Sequence, residues 1–477
     1  MTSSASAIAD QLTALLGSRG VLQHDADLGR YMEDWAGHRR GRPLAVARPA
    51  STEEVAAVVR FCHANGIRMA PQGGHTGLVD GALPAETDDE LIISLERLNR
   101  IHAIDPISFT MDVDGGCILA DIREAAQAQA CFFPLSFAAQ GSCQIGGNIA
   151  TNAGGMNVLR YGVTRELVLG LEVVLPDGRI WNGMKALRKD NRGYNLRQLF
   201  IGSEGTLGII TRAVLKLFPK PDQTATALLA VPSVEAAVRL YGEARRGCSD
   251  LLSAFELIPR SCLELAFEAT DQLSDPLSTA YPYYVLLEAS ATGPIELDTM
   301  VEQLLEHAMA QELLLDGVLA ASSSQAERLW LIRESMLEGQ RARGPHLRTD
   351  IAVPLARIAE FVTEASAAVE AASPDSTVLV YGHIGDGNLH YNILPPSQLP
   401  EADKHALLHD LEALVFSVLD RFDGSLSAEH GIGRLKQAAW LERVSSDELA
   451  LLTGIKAVFD PDQLLAANRI LPASGRD

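Results

Sequence analysis

Two histidines spaced as H-x6-H, His383 and His390, flank a Gly-Asp-Gly bend in YGHIGDGNLHYN (381–392). Further along, GSLSAEHGIG (424–433) carries an adjacent carboxylate and imidazole, Glu429 and His430. Two imidazoles and a carboxylate are a common ligand set for a catalytic divalent metal, one that leaves positions open for a substrate. A lone histidine in an apolar strand is more often a satisfied core residue. Two around one bend, with a Glu-His pair beside a second glycine bend, weigh toward a metal.

Elements rich in glycine must position any larger ligand. Ser51 and Glu54 have capping-box spacing, and Val55, Val58, Val59 and Cys62 recur at helical intervals up to a stop at Gly66. A short strand at Ile67–Ala70 then leads into PQGGHTGLVDGA (71–82). Glycines 73, 74, 77 and 81 let backbone N–H groups converge into a nest for anionic oxygens, such as those of a pyrophosphate. The spacing is neither G-x-G-x-x-G after a first strand nor a P-loop. A second run, QGSCQIGGNIATNAGG (140–155), offers Asn148, Thr151 and Asn152 as donors, and IGSEGTLGII (201–210) follows. Three such runs in one region point to one large, extended, anionic ligand.

With 477 residues the chain has room for two or three domains. Its net charge of −21 argues against binding nucleic acid as the main task, and sparse aromatics offer no base-stacking platform. The six cysteines are scattered without a C-x-x-C pair, the plain reading being free thiols in a reducing compartment. The first residues lack the basic region of a secretory signal, and no apolar run is long enough for a membrane span. Cytoplasm is the expected location. Residues 46–218 alternate strand and helix, with LIISL (91–95) a buried strand and 120–130 a helix. Beyond Lys220, strands at 225–232 and 281–290 alternate with helices near 234–245, 295–311 and 357–372. That pattern predicts an antiparallel sheet with helices on one face.

PQGGHTGLVDGA, GGNIATNAGG, RYGVTREL (160–167) and GSEGTLGIIT (202–211) together resemble the flavin-binding domain of the vanillyl-alcohol oxidase/p-cresol methylhydroxylase (PCMH) superfamily. The resemblance implies an α+β fold: a two-subdomain PCMH-type FAD-binding domain with a helical lead-in over 1–220, and an antiparallel-sheet cap, or substrate, domain over 221–423. A small helical C-terminal segment, 424–477, would return to the flavin. FAD would meet Pro71, Gln72, Gly73, Gly74, His75, Thr76, Gly77 and Leu78 on the first loop. On the second run it would meet Ser142, Gly146, Gly147, Asn148, Thr151, Asn152, Gly154 and Gly155, and on the third Gly208 and Ile209.

H-x6-H followed by S-A-E-H-G looks like the C-terminal part of FAD-dependent D-2-hydroxy-acid dehydrogenases, closest to the D-2-hydroxyglutarate and D-lactate dehydrogenase group. There the counterparts of His383, His390 and Glu429 bind a divalent metal, zinc being the first choice. The counterpart of His430 is the catalytic base and touches substrate, as does that of Asn392. Arg333 in WLIRES (330–335) matches the arginine that grips a substrate carboxylate, and Arg348, in the position of a family lysine, would also face the substrate. The resemblance implies metal-assisted deprotonation of the substrate hydroxyl by His430 and hydride transfer to flavin N5. Electrons would pass on to an electron-transfer flavoprotein, a quinone or a cytochrome, and a homodimer is compatible with the pattern. A glycolate-oxidase-type subunit and an oxygen-using oxidase of the same superfamily are the alternatives.

Three departures bear on this. His75 stands where the branch usually has Asn; it either substitutes as a hydrogen-bonding group or tethers the flavin covalently, as histidines do in other branches. Leu337 replaces a hydroxyl residue of the 2-hydroxyglutarate branch, which favours a monocarboxylate with an apolar tail. The family's NPGK ending is replaced by AANRIL (466–471).

Overall fold

A computed structural model describes residues 2–473 apart from Ala36, His38 and Asp88, and only the backbone of residues 2–5. Its contacts divide the chain into two units. The first comprises residues 1–155, 162–220 and 429–477; the second comprises 156–161 and 221–428. The division after Ala428 lies a few residues beyond the boundary expected at 423. The RYGVTREL segment is split by it, Arg160 and Tyr161 packing with the second unit.

The first unit holds two sheets. One is four-stranded, in the order β1 (Val21–Leu22), β2 (Ala45–Ala47), β4 (Glu90–Ser94), β3 (Arg68–Gln72), with β2 and β3 parallel to β4. Parallel strands need a crossover connection, and the Thr52–Asn65 helix supplies the one from β2 to β3, on the other side of β4. Ser51 caps that helix by accepting the Glu54 N–H, while the Glu54 carboxylate accepts the Ala50 N–H at 2.7 Å. Gly66 ends it at φ +63°, a conformation that favours glycine. Val55, Val58, Val59 and Cys62 are fully buried on its inner face. The other sheet is antiparallel and five-stranded: β5 (Ile101–Asp105), β6 (Thr110–Asp114), β10 (Ile209–Lys216), β8 (Val168–Val174), β9 (Ile180–Gly183). A minor pair joins β7 (Cys131–Phe132) to β11 (Phe218–Pro219).

The second unit is built on a seven-stranded antiparallel sheet, ordered β15 (Asp316–Leu319), β12 (Gln223–Val231), β14 (Tyr283–Ala291), β13 (Leu252–Pro259), β17 (Thr377–His383), β18 (Asn388–Leu394), β16 (Ile351–Ala352). Helices cover both faces, not one. Leu228, Ile258, Leu286 and Leu379 pack with Leu263 of the Arg260–Ala269 helix and with Leu329, Ile332 and Met336 of the Ser323–Arg341 helix. On the opposite face, Phe255 meets Tyr241 of the Val234–Cys248 helix edge-on, with ring centroids 5.4 Å apart. The reason is visible in the strands: ALLAV and YVLL are continuous apolar runs, the signature of burial on both sides.

Candidate active site

In the first unit the glycine runs come together. A Cβ added to Gly74 would lie 2.2 Å from the Ser142 carbonyl oxygen, so only glycine lets the first loop lie against the second. One added to Gly146 would lie 2.8 Å from the Gly115 carbonyl and 3.2 Å from that of Ile210, at the start of β10. The second run is partly helical, over Ile145–Ala150. Gln144 Oε1 and Asn148 Oδ1 are buried there with no hydrogen-bond partner among the described residues. Buried polar atoms are rarely left unpaired, so two orphaned oxygens in a glycine-lined cradle suit a bound polar cofactor. This chemistry fits FAD.

Other residues of these runs serve the protein itself. Gln72 is buried and donates to the Tyr31 and Ala82 carbonyls at 3.2 and 3.0 Å. Thr151 Oγ1 donates back to the Gly147 carbonyl, and Asn152 Oδ1 accepts the Arg165 N–H at 2.9 Å. Gly208 packs against Val173 and Phe200. His75, at φ +56°, donates from Nε2 to the Glu33 carbonyl at 2.6 Å, and burial lowers its pKa.

Glu204, from the third run, is a residue the sequence reading passed over. Its carboxylate accepts the Ile432 and Gly433 N–H groups at 2.8 and 2.7 Å. Burial raises its pKa and those two bonds lower it. The Arg434 N–H donates to the Val79 carbonyl at 2.9 Å, within the first glycine loop. The turn that follows His430 is therefore held by two of the glycine runs. Lys456 adds a further tie, donating to the Thr206 and Leu465 carbonyls and pairing with Asp460 at 2.6 Å.

In the second unit, β17 and β18 form the hairpin that carries both histidines. Gly382 (φ +141°) and Gly387 (φ +86°) shape its tip. The His383 and His390 ring centroids are 5.8 Å apart, and His390 lies beside Tyr381, its cross-strand partner. Directly across from His383 on the neighbouring strand stands Glu256, a carboxylate the sequence reading also missed. Glu256 is fully buried; its Oε2 accepts from Arg333 Nε at 2.7 Å and its Oε1 from His383 Nδ1. Burial pushes the Glu256 acid up, but its interactions with His383 and Arg333 outweigh that and hold the pKa well below the usual carboxylate range. The Arg333 guanidinium lies 5.0 Å from the centroid of the Tyr381 ring, a cation–π arrangement.

Asn392 is buried beside them. It donates to Gln340 Oε1 at 2.7 Å and to the Tyr381 hydroxyl at 3.1 Å, and accepts the Thr349 N–H. Arg348 sits between Leu347 and Thr349, whose bonds to Ile393, Asn392 and Tyr391 fix the segment along β18. Its charge acts on the Tyr381 phenol. The structure thus groups His383, His390, Arg333, Asn392 and Arg348 on one region of this unit. The chain then runs antiparallel to Ala352 at Ser425, and the Ala428 N–H donates to the Asp350 carbonyl. Glu429 and His430 follow as the first residues of the last segment of the first unit. Two imidazoles with a carboxylate-fixed nitrogen are a donor set that suits a divalent metal.

Comparison with known proteins agrees with this layout. Residues 43–183 match the FAD binding domain family, and residues 220–470 match the family of FAD linked oxidases, C-terminal domain. A D-2-hydroxyglutarate dehydrogenase of Xanthomonas citri pv. viticola is 41% identical over 93% of this chain and 93% of its own. A putative mitochondrial D-lactate dehydrogenase of Schizosaccharomyces pombe is 36% identical over 92% and 84%. The structure of p-cresol methylhydroxylase superposes with a TM-score of 0.75 over 99% of this chain and 98% of that one, at 18% identity, which establishes the shared PCMH-type fold. The chain belongs to the FAD-dependent D-2-hydroxyglutarate/D-lactate dehydrogenase family.

Proposed function

We propose that the protein oxidises a D-2-hydroxy acid to the 2-oxo acid, with His430 as the base, Arg333 as the carboxylate grip and a divalent metal held by His383, His390 and Glu429. The observation that carries this reading is the pairing of the Arg333 guanidinium and the His383 imidazole with one buried carboxylate, Glu256, with His390 beside His383 and Asn392 bonded to Tyr381. The bound flavin supplies a hydride acceptor, and a bound metal supplies a Lewis acid that makes the hydroxyl more acidic. Arg333 binds the substrate carboxylate by charge-assisted hydrogen bonds and sets the substrate's orientation. His430 takes the hydroxyl proton as a general base, the role for which an imidazole is suited. FAD is held by the three glycine runs, with His75 as a hydrogen-bonding residue already engaged with Glu33.

The substrate has one carboxylate for Arg333, and Arg348 offers a second cation for a longer acid. D-2-Hydroxyglutarate, D-lactate and acids with an apolar tail are the candidates, Leu337 favouring the last. The electrons leave to an electron-transfer flavoprotein, a quinone or a cytochrome. All six cysteines are free and buried, which suits a reducing compartment, and we assign the protein to the cytoplasm. No described helix is long and apolar enough to cross a membrane.

Anaerobic bleaching of the yellow protein tests the reading. D-2-hydroxyglutarate, D-lactate, D-malate and longer D-acids are presented in turn beside their L-enantiomers. Bleaching by a D-acid, lost with EDTA and restored by Zn2+, is the expected result. Bleaching by none of them, with flavin bound, overturns it.

A further inference from the structure

Glu256 lies on β13, a strand whose every residue is buried, and it is the only charged residue in LSAFELIP. A carboxylate in such a place is costly unless fully paired, and replacing a buried ion pair by apolar side chains is often neutral for stability. A strand position this central has a cheaper apolar solution. The two groups that Glu256 holds are the ones that matter to the reading above: His383, a metal ligand there, and Arg333, the carboxylate grip. Only a carboxylate offers an acceptor oxygen to each of two donors at once. By accepting from His383 Nδ1 it fixes the neutral imidazole as the tautomer whose lone pair is on Nε2. By accepting from Arg333 Nε it sets the plane of the guanidinium.

We propose that Glu256 is a positioning residue that sets, with one carboxylate, both the metal-binding tautomer of His383 and the orientation of Arg333 toward the substrate. This rests on the proposed function, and it adds that metal affinity and substrate affinity are linked through a residue that touches neither metal nor substrate.

The glutamine variant separates this role from a structural one. In Glu256→Gln the shape is kept, but the amide has one acceptor oxygen. Arg333 Nε can only donate, so it claims that oxygen and turns the amide N–H toward His383 Nδ1. The imidazole must then accept at Nδ1, which leaves Nε2 protonated and unable to bind a metal. The experiment uses the purified FAD-loaded protein and measures three things: flavin content by absorbance, Zn2+ affinity by competition with a chromophoric chelator, and KM and kcat on the acid that bleaches the wild type. Glu256→Gln is expected to keep its flavin, lose about 10- to 100-fold in Zn2+ affinity and raise KM. Glu256→Asp keeps two acceptors on a shorter arm and is expected to lie between, so it decides the matter if the glutamine variant does not fold. Zn2+ affinity within twofold of wild type in a folded Glu256→Gln, or in Glu256→Asp where only that variant folds, overturns the proposal alone. A wild type that binds no divalent metal overturns it together with the reading on which it rests.

Discussion

The two units build their sites from different materials. In the first, the parts that matter are main chain: Gly74 lies against the Ser142 carbonyl, Gly146 against those of Gly115 and Ile210, and the turn after His430 hangs by its N–H groups from Glu204. Side chains such as Thr151 and Asn152 are spent on holding the backbone in place. In the second unit the site is made of side chains, with Glu256, Arg333, His383 and Tyr381 arranged on a rigid sheet and one helix. A main-chain cradle suits a large cofactor that stays; a cluster of charges suits a small acid that comes and goes. The first kind of site is damaged by adding atoms, the second by removing charge.

That contrast can be broken by substitution. His430→Ala is expected to slow flavin reduction by about 10²- to 10⁴-fold while the protein stays yellow, because the base is removed and the cradle is not. Stopped-flow reduction at near-normal rates would remove His430 from its role. Arg333→Ala, a lost charge in the second unit, is expected to raise KM by about 100-fold, an amount typical of a lost charge-assisted contact, again with full flavin content. Loss of the flavin in this variant would erase the division of labour between the units.

Gly74→Ala is the converse. The added methyl must displace backbone, an overpacking cost of about 1–3 kcal/mol, so flavin retention is expected to fall by about tenfold or more. Ultrafiltration of the holoprotein checks it, and full retention would show that the two loops part easily. Leu337→Thr is the gentlest change. It is expected to shift kcat/KM toward D-2-hydroxyglutarate over acids with apolar tails by a few-fold, since a single hydroxyl discriminates modestly in a pocket not built around it. An unchanged ratio would place Leu337 outside the specificity pocket.

Much of this was legible in the sequence, for physical reasons. Glycines that cannot be replaced leave a mark in composition as well as in structure, and Ser51, Glu54 and Gly66 announce their helix by residue type. His383 and His390 announce themselves because two imidazoles around a glycine bend have few structural uses. Glu256 was not legible. It stands alone among apolar neighbours, and its partners Arg333 and His383 come from distant parts of the chain, so the pairing exists only once β13 meets β17. Glu204 was hidden for the opposite reason, inside a motif whose glycines drew the attention. The helices on both faces of the large sheet were readable from the apolar runs within its strands, but the alternation of elements suggested one face.

Arg469 has a consequence for how the chain is made. It is fully buried, pairs with both oxygens of Glu90 and donates to the Gly81 and Leu83 carbonyls at 3.1 and 2.7 Å. The first glycine loop thus leans on a residue synthesised after the whole of the 221–428 stretch. On the ribosome, the second unit can complete its own core while the first still waits for its closing segment. Until residue 469 emerges, the flavin cradle lacks a wall, and a nascent chain stalled before that point is expected to hold a folded second unit and no cofactor.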